Sequence, residues 1–531
     1  MAKNKFFVLA IFIFLLQSSI FAQGIGEEWS SNITLKCVTD YGRGGGADVW
    51  GWNQNGVDYA LITIGGGLSI VNTSNPSSPN EIVHINHSNT SKKLNVADVE
   101  TFDSGGNTYA YLSVHRNDST YFVLIINLNE AINSNYFIGI NPDSLNSVYV
   151  GRIQNPVRYD IFPREIAWQA HTLTIDGGYL YVATLKDKLP VWNLNSSATS
   201  PSYLGALTIT PSNSGVHEMY VKSTGSTTSR IYAACSRGGL QVIDLNLSNM
   251  SFTKTSQIYD SDKSAPNLVN SADSYFEYRQ THSAWPTDDG QYIFTTDELS
   301  LWADSSKDDQ INFPTDANLY TSPNVLNDAH RQGAFMRTWK TSQLGSSSAL
   351  KGGFYVPEGQ QQGVTNLSNI NNCMVPSSIH QMYGKENVLY VAHYTQGLRV
   401  LDISNPENLV EVGYYDDRET MNTTIGNANF FRKNTNNWYQ GIYGVYPDQN
   451  RPGIVYAGSI SNGFYIFDVL PIASPTGFTL SGPVGGNPTL TWNASSAPGL
   501  EGYKIYQEID NSNYSLLVTL DKNLHHLLIA E

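Results

Sequence analysis

Apolar and polar positions alternate along most of this chain in short runs, each closed by glycine, asparagine, aspartate, serine or proline. A period of two marks half-buried β-strands, and the closing residues are those that favour turns. The pattern is clearest at residues 379–406, which read as three strands. Residues 380–383 are a short strand, 384–387 a turn, 388–393 a second strand, 395–397 another turn and 398–403 the third strand. Ser404-Asn405-Pro406 ends it, because proline has no N–H for a central ladder. The third strand recurs at 67–76, 239–245 and 463–469, and in degenerate form at 189–194. One such unit cannot bury both of its faces alone, so the repeats must stack, as in a propeller or a solenoid.

Placing a first strand at each repeat gives seven blades. Their leading residues are Asp48, Asp98, His171, His217, His282, His380 and Tyr443. The polar, turn-rich stretches 129–165, 250–280, 299–332 and 407–440 read as fourth strands and insertions. Residues 32–38 are strand-like and precede blade one. They are expected to pair as the outer strand of blade seven, which joins the two ends of the chain. The expected fold is all-β, with a seven-bladed β-propeller over residues 23–472.

After Pro471 the pattern changes. The runs 477–480, 488–492, 502–506 and 515–519 resemble the first strands of a fibronectin type III domain, with Trp492 as core tryptophan and Tyr503 facing it. Residues 473–531 are read as a partial fibronectin type III-like β-sandwich that stops before the last two strands.

The start of the chain carries Lys3 and Lys5, an apolar run over 6–16 and a small-residue exit at Ala22. Residues 1–22 therefore read as a secretory signal peptide, which predicts a secreted or cell-surface protein. The apolar run is short for a membrane span, and no later segment is long and apolar enough for one, so no transmembrane segment is expected after signal removal. The formal net charge is −15 and there is no basic patch with interleaved aromatics, so nucleic acid is not an expected partner. The cysteines Cys37, Cys235 and Cys373 are too few, and odd in number, for a disulfide framework; they read as buried thiols, or as one disulfide with one thiol left over.

Candidate chemistry lies in the leading column. The first strand of each blade lines a propeller's central channel, so Asp48, Asp98, His171, His217, His282, His380 and Tyr443 are expected to form a ring at one mouth. Counting across the blade-six hairpin puts His393 opposite His380. Histidine and aspartate at one repeated position suit a divalent transition metal (Zn, Mn, Fe or Cu) or acid–base catalysis. The same column also reads as a polar, water-filled channel. Asp297 and Glu298 follow blade five's second strand and are placed near the same mouth. Adjacent strand residues point to opposite faces, so His217 and Glu218 are not expected to share the channel. No G-x-S-x-G, H-E-x-x-H or phosphate-cradling glycine loop is present.

The segments ADVWGW, AHTLTIDGGYLYVAT, VHEMYV, THSAWPTDDGQYIFTTDE, GLRVLDISNPENLVEVGYYD and IYGVYP with SNGFYIFDV resemble the LVIVD-repeat, choice-of-anchor B family of secreted bacterial β-propellers. The resemblance covers residues 45–470 and implies an exported, surface-displayed protein, but no reaction. Gln381 after His380 departs from relatives, which tend to have asparagine, and no sorting domain follows the tail. Two functions stay open. One is a binding module for an extracellular protein or glycan. The other is a metal-dependent enzyme such as a polysaccharide lyase. By analogy of fold, it would use His380 as base, Tyr443 as acid and His171, His217 and His282 as metal ligands.

Overall fold

A computed structural model describes residues 29–115, 122–154, 169–210, 215–236, 238–258, 279–299, 336–344, 350–355, 379–394, 397–407, 409–416 and 441–469, with shorter pieces within 156–167 and 479–528. The signal-peptide region 1–22, residues 300–332 of the expected insertion and Cys373 lie outside the described residues.

Most of the described strands fall into seven sheets of four or five strands in which sequence neighbours pair antiparallel, from an inner strand outward. Inner strands are Gly46–Gln54, Val96–Ser104, Leu173–Asp176, Glu218–Gly225, Arg279–Pro286, Met382–Lys385 and Ile442–Pro447. Fourth strands occupy parts of the polar stretches: Tyr149–Ile153 in blade two, Ser251–Ile258 in blade four and Val410–Asp416 in blade six. Blade one gains a fifth strand, Phe137–Ile140, which lies parallel to Asn80–His87. In blade five the third strand, Met336–Lys340, pairs with Tyr292–Leu299.

Closure of the ring follows the sequence expectation. Ile33–Thr39 pairs antiparallel with Gly463–Val469 as the outer strand of blade seven. Trp29–Ser31 adds to blade six by pairing with Val410–Asp416. Asn32, at φ 56, turns the chain between the two blades and donates from Nδ2 to Val412 O at 2.6 Å. One short segment therefore ties two adjacent blades and covers both of their outer edges.

The core is the set of seams between blades. Seven apolar clusters each draw from two neighbouring sheets, and together they run around the ring without a gap. In Val57–Ile64, for example, Ala60, Ile62 and Ile64 face blade seven, whereas Tyr59 and Leu61 face blade two. Burial on both faces explains why these second strands read as nearly continuous apolar runs. The seam between blades seven and one is so close that a Cβ at Gly458 would stand 1.8 Å from Ala47 O, so only glycine fits there.

In the tail, Thr479–Ser481, Thr489–Thr491 and His526–Leu528 form one sheet and Gly502–Asp510 pairs with Asn513–Asp521. Trp492 and Tyr503 are buried with ring centroids 5.3 Å apart, edge to face. Among the described residues no helix is long and apolar enough to cross a membrane.

Candidate functional site

Every inner strand carries a β-bulge where it meets the channel. In blades one, two, five and seven the pairing register slips by one residue at Ala47/Asp48, Ala97/Asp98, His282/Ser283 and Tyr443/Gly444. In blade three, His171 N donates to Ala183 O while Ala183 N donates to Thr172 O, so two residues oppose one. His217/Glu218 against Ala234 and His380/Gln381 against Ala392 repeat this geometry. A bulge re-aims side chains and turns two consecutive residues toward one side.

The bulges correct three expectations. The column of leading residues splits into two stacked levels. The first bulge residues are Ala47, Ala97, His171, His217, His282, His380 and Tyr443. The second are Asp48, Asp98, Thr172, Glu218, Ser283, Gln381 and Gly444. Asp48 and Asp98 are thus one residue out of step with the histidines. His217 and Glu218 both serve the channel, because the extra residue defeats strict alternation. His380 opposes Ala392 rather than His393, which is buried and lies close to the charge of Arg399. Burial first and Arg399 second pull the His393 imidazole down to about 3.

The second level is a polar girdle in which blades one to six each bond to their successor, and Gln381 of blade six also donates to Asp48 Oδ1 of blade one at 3.1 Å, past Gly444 of blade seven. Asp48 Oδ2 accepts from Val99 N at 3.1 Å and Asp98 Oδ2 accepts from Leu173 N. Thr172 Oγ1 donates to His217 O at 2.6 Å, Ser283 Oγ donates to Glu218 and to His380 O, and Gln381 Oε1 accepts from Val445 N at 2.8 Å. Much of the acid lining the channel therefore staples blades together.

The first level is an arc of packed rings. Centroids of His171 and His217 stand 4.4 Å apart, His217 and His282 3.9 Å, His282 and His380 4.2 Å, and His380 and Tyr443 3.5 Å. His115 closes on His171 at 5.2 Å. His282 Nδ1 donates to His380 O at 2.7 Å and His380 Nδ1 donates to Tyr443 O at 2.9 Å. With Nδ1 committed as donor, Nε2 of each carries the lone pair. Burial above all, then neighbouring imidazoles, hold His171, His217, His282 and His380 well below the ordinary histidine range. They stay neutral and fit to ligate.

Glu298 meets this arc. Its Oε2 lies 3.7 Å from His217 Nε2 and 3.5 Å from His282 Nε2, while Oε1 accepts from Tyr394 O–H at 2.6 Å. Two ligand atoms each about 2.1 Å from one ion at a tetrahedral angle stand about 3.4 Å apart, so both carboxylate–imidazole separations are close to those of a metal's ligands, and the two imidazole nitrogens lie within 4.8 Å of each other. Burial pushes the Glu298 carboxyl up to about 7, against the Tyr394 hydrogen bond. His282 is fully buried and its Nε2 has no hydrogen-bond partner. A second grouping joins Glu218, His282 and His380, but Nδ1 of both histidines is already occupied by carbonyls.

Of the expected candidates, the structure brings His171, His217, His282, His380, Tyr443 and Glu298 together. It places Asp48 and Asp98 on the neighbouring level and His393 inside blade six. Asp297 is on the strand itself and pairs with Thr281, with its side chain outside the described part. Tyr394 and His115 escaped sequence reading. They occupy the same place as Glu298, two residues beyond the bulge partner on each second strand, so aligning strand exits would have found them.

A model of the LVIVD repeat matches residues 57–87 and 384–417. The chain carries LVIVD repeats. The matched units are the second to fourth strands of blade one and the corresponding part of blade six, so the LVIVD match stops short of the bulged channel residues. No curated protein matches the chain. Among solved structures it is similar to the WD40 repeats of RRP9 (8% identity, 83% of this chain and 100% of that one, TM-score 0.46). It is also similar to the WD40 propeller domain of Doa1 (10% identity, 82% and 96%, TM-score 0.41). A third is the Cps50 (Swd1) propeller of Myceliophteria thermophila (8% identity, 83% and 100%, TM-score 0.41).

Proposed function

We propose that the chain is an exported, surface-displayed β-propeller that binds an extracellular protein or glycan, and that its channel holds a divalent transition metal on His217, His282 and Glu298. One observation carries the metal: two imidazole nitrogens and a carboxylate oxygen converge within 4.8 Å of one another. Imidazole and carboxylate together suit Zn, Fe, Mn or Cu. Tyr394 and the His380 carbonyl act as the outer partners that orient such ligands. The export reading rests on residues 1–22, and display at the surface rests on the resemblance to choice-of-anchor B proteins. The tail, read as fibronectin type III-like, would space the propeller from its attachment.

A second reading, a metal-dependent enzyme, draws on the ligand count. Three protein ligands leave a position open, as catalytic centres do. The lyase roles of His380 and Tyr443 gain no support from their surroundings: His380 is buried, Tyr443 is half-buried, and the two rings pack on each other at a centroid distance of 3.5 Å.

The test is elemental analysis and thermal unfolding of the purified chain, with and without added Zn, Mn, Fe or Cu. One equivalent of metal, and a melting point that rises with metal in the parent but not in His217→Ala/His282→Ala, is the expected result. A folded parent that takes up no metal rejects the metal centre. Turnover of an extracellular polysaccharide that vanishes with the metal would establish the enzyme reading instead.

A further inference from the structure

Beyond the bulge girdle, away from the histidines, the channel widens into a cup of ≈ 210 Å³. Its wall carries Tyr220, Trp285, Tyr383 and Trp50, and Tyr446 packs between Tyr383 and Trp50 to complete an aromatic arc over five consecutive blades. Successive ring centroids stand 4.5, 4.8, 5.1 and 4.7 Å apart. The arc is tight enough that a Cβ at Gly384 would meet the Trp285 indole nitrogen at 2.2 Å. Glu100 of blade two and Thr174 of blade three complete the wall, and Asp48, Asp98 and Glu218 form the floor. Among the described residues no lysine or arginine lines the cup.

The carboxyl groups are only partly committed. Glu100 uses Oε2 to accept from Ile175 N. Glu218 is 9% exposed, its Oε2 accepts from Ser283 Oγ, and its Oε1 has no hydrogen-bond partner. Burial disfavours the charged form of these carboxyls, and a cation in the cup is the ligand that would let them ionise. The aromatic faces add attraction for the same charge. A volume below the range of about 300–1,000 Å³ usual for drug-sized ligands suits a single head group on a narrow stem. A neutral sugar would stack on the rings but give the buried carboxyls no charge to pair with.

We propose that this cup binds an alkylammonium group, the head of a polyamine or of a lysine side chain on a bound protein. Glu218 stands 4.0 Å from His282, but the test variants Trp285→Leu and Glu100→Gln touch neither His217, His282 nor Glu298, so failure of the cup and failure of the metal centre are distinguishable.

The test is calorimetric titration of the full chain with spermidine and with Nα-acetyl-lysine methylamide, beside a neutral norleucine analogue and cellobiose. Saturable binding of an ammonium probe, absent with norleucine, is expected. Affinity should fall about tenfold in Trp285→Leu, which keeps an apolar side chain but removes the π face, and in Glu100→Gln, which keeps an acceptor for Ile175 N–H. Binding should persist in His217→Ala/His282→Ala. Binding of spermidine alone makes a free polyamine the ligand, whereas binding of the lysine probe makes the ligand a side chain. No binding of either ammonium, equal binding of a neutral probe, or unchanged affinity in both cup variants overturns the proposal.

Discussion

The two ends of the channel are built from the same seven bulged strands, yet they are opposite in design. At the cup end, inner strands return through tight turns such as Asn55-Gly56, Gly105-Gly106 and Gly177-Gly178, all with positive φ. Such turns match the twist of the flanking strands and fix the hairpin register. Side chains there are placed by rigid scaffold. At the histidine end, the stretches 259–278, 356–378 and 417–440 each lead from an outer strand to the next blade's inner strand, and 300–335 joins the second and third strands of blade five. The cup end is not free of insertions: Leu128–Ala131 and Phe137–Ile140 intervene between the third and fourth strands of blade two, on its outer side. The comparison teaches that in this propeller the inner hairpins turn tightly at the cup end while the long connections between blades start and finish at the histidine end, with the hydrogen-bonded girdle between them.

Four experiments would break or sharpen this contrast. The largest effect is expected from deleting residues 29–39, which removes the outer strands of blades six and seven and disturbs both ends together. Circular dichroism should show loss of cooperative unfolding; a melting curve like the parent's would mean that the ring does not depend on this closure. Next, His217→Ala/His282→Ala should lose the metal while ammonium binding at the cup is retained, as read by elemental analysis and calorimetry. Loss of both would show that the ends are not independent. Tyr394→Phe leaves Glu298 in place but removes its orienting donor, so metal affinity should fall about tenfold to a hundredfold in a competition assay. An unchanged affinity would remove Tyr394 from the centre.

The smallest effect concerns charge in the cup. Burial pushes the Glu100 carboxyl well above its ordinary range. A raised carboxyl keeps its proton in the folded state after the unfolded chain has released it. Its contribution is therefore fully present below the unfolded value of about 4.3 and is lost as pH rises through the higher folded value. Glu100→Gln cannot ionise and keeps an acceptor for Ile175 N–H. Without ligand, it should melt higher than the parent at pH 8 and close to it at pH 4. An equal difference at both pH values would mean that packing, not ionisation, sets the effect.

Much of the fold was legible because repetition is an averaging device. Strand patterns too weak to trust singly become seven blades when they share a turn, and residues 32–38 declared themselves as the strand that blade seven lacked. The histidine arc was legible for the same reason: His171, His217, His282, His380 and Tyr443 share one place in the repeat. The bulge was not, since an inserted residue leaves no mark in a pattern of period two. That is why Asp48 and Asp98 were aligned one residue out of step and Glu218 was assigned away from the channel. The cup escaped for another reason. Trp50, Tyr220, Trp285, Tyr383 and Tyr446 occupy strand positions where an aromatic reads as core, and only the closed ring shows that most of them line an opening. Tyr394 was hidden because its link to Glu298 crosses from blade six to blade five.

The most direct test of the central claim is an anomalous-difference map from crystals of the chain grown with Zn, collected at the metal's absorption edge. The account predicts a peak about 2.0–2.2 Å from Nε2 of His217, Nε2 of His282 and a Glu298 oxygen, with none at Asp48 and Asp98. A peak on the acidic level, or none along the channel in a folded, metal-saturated crystal, would contradict it.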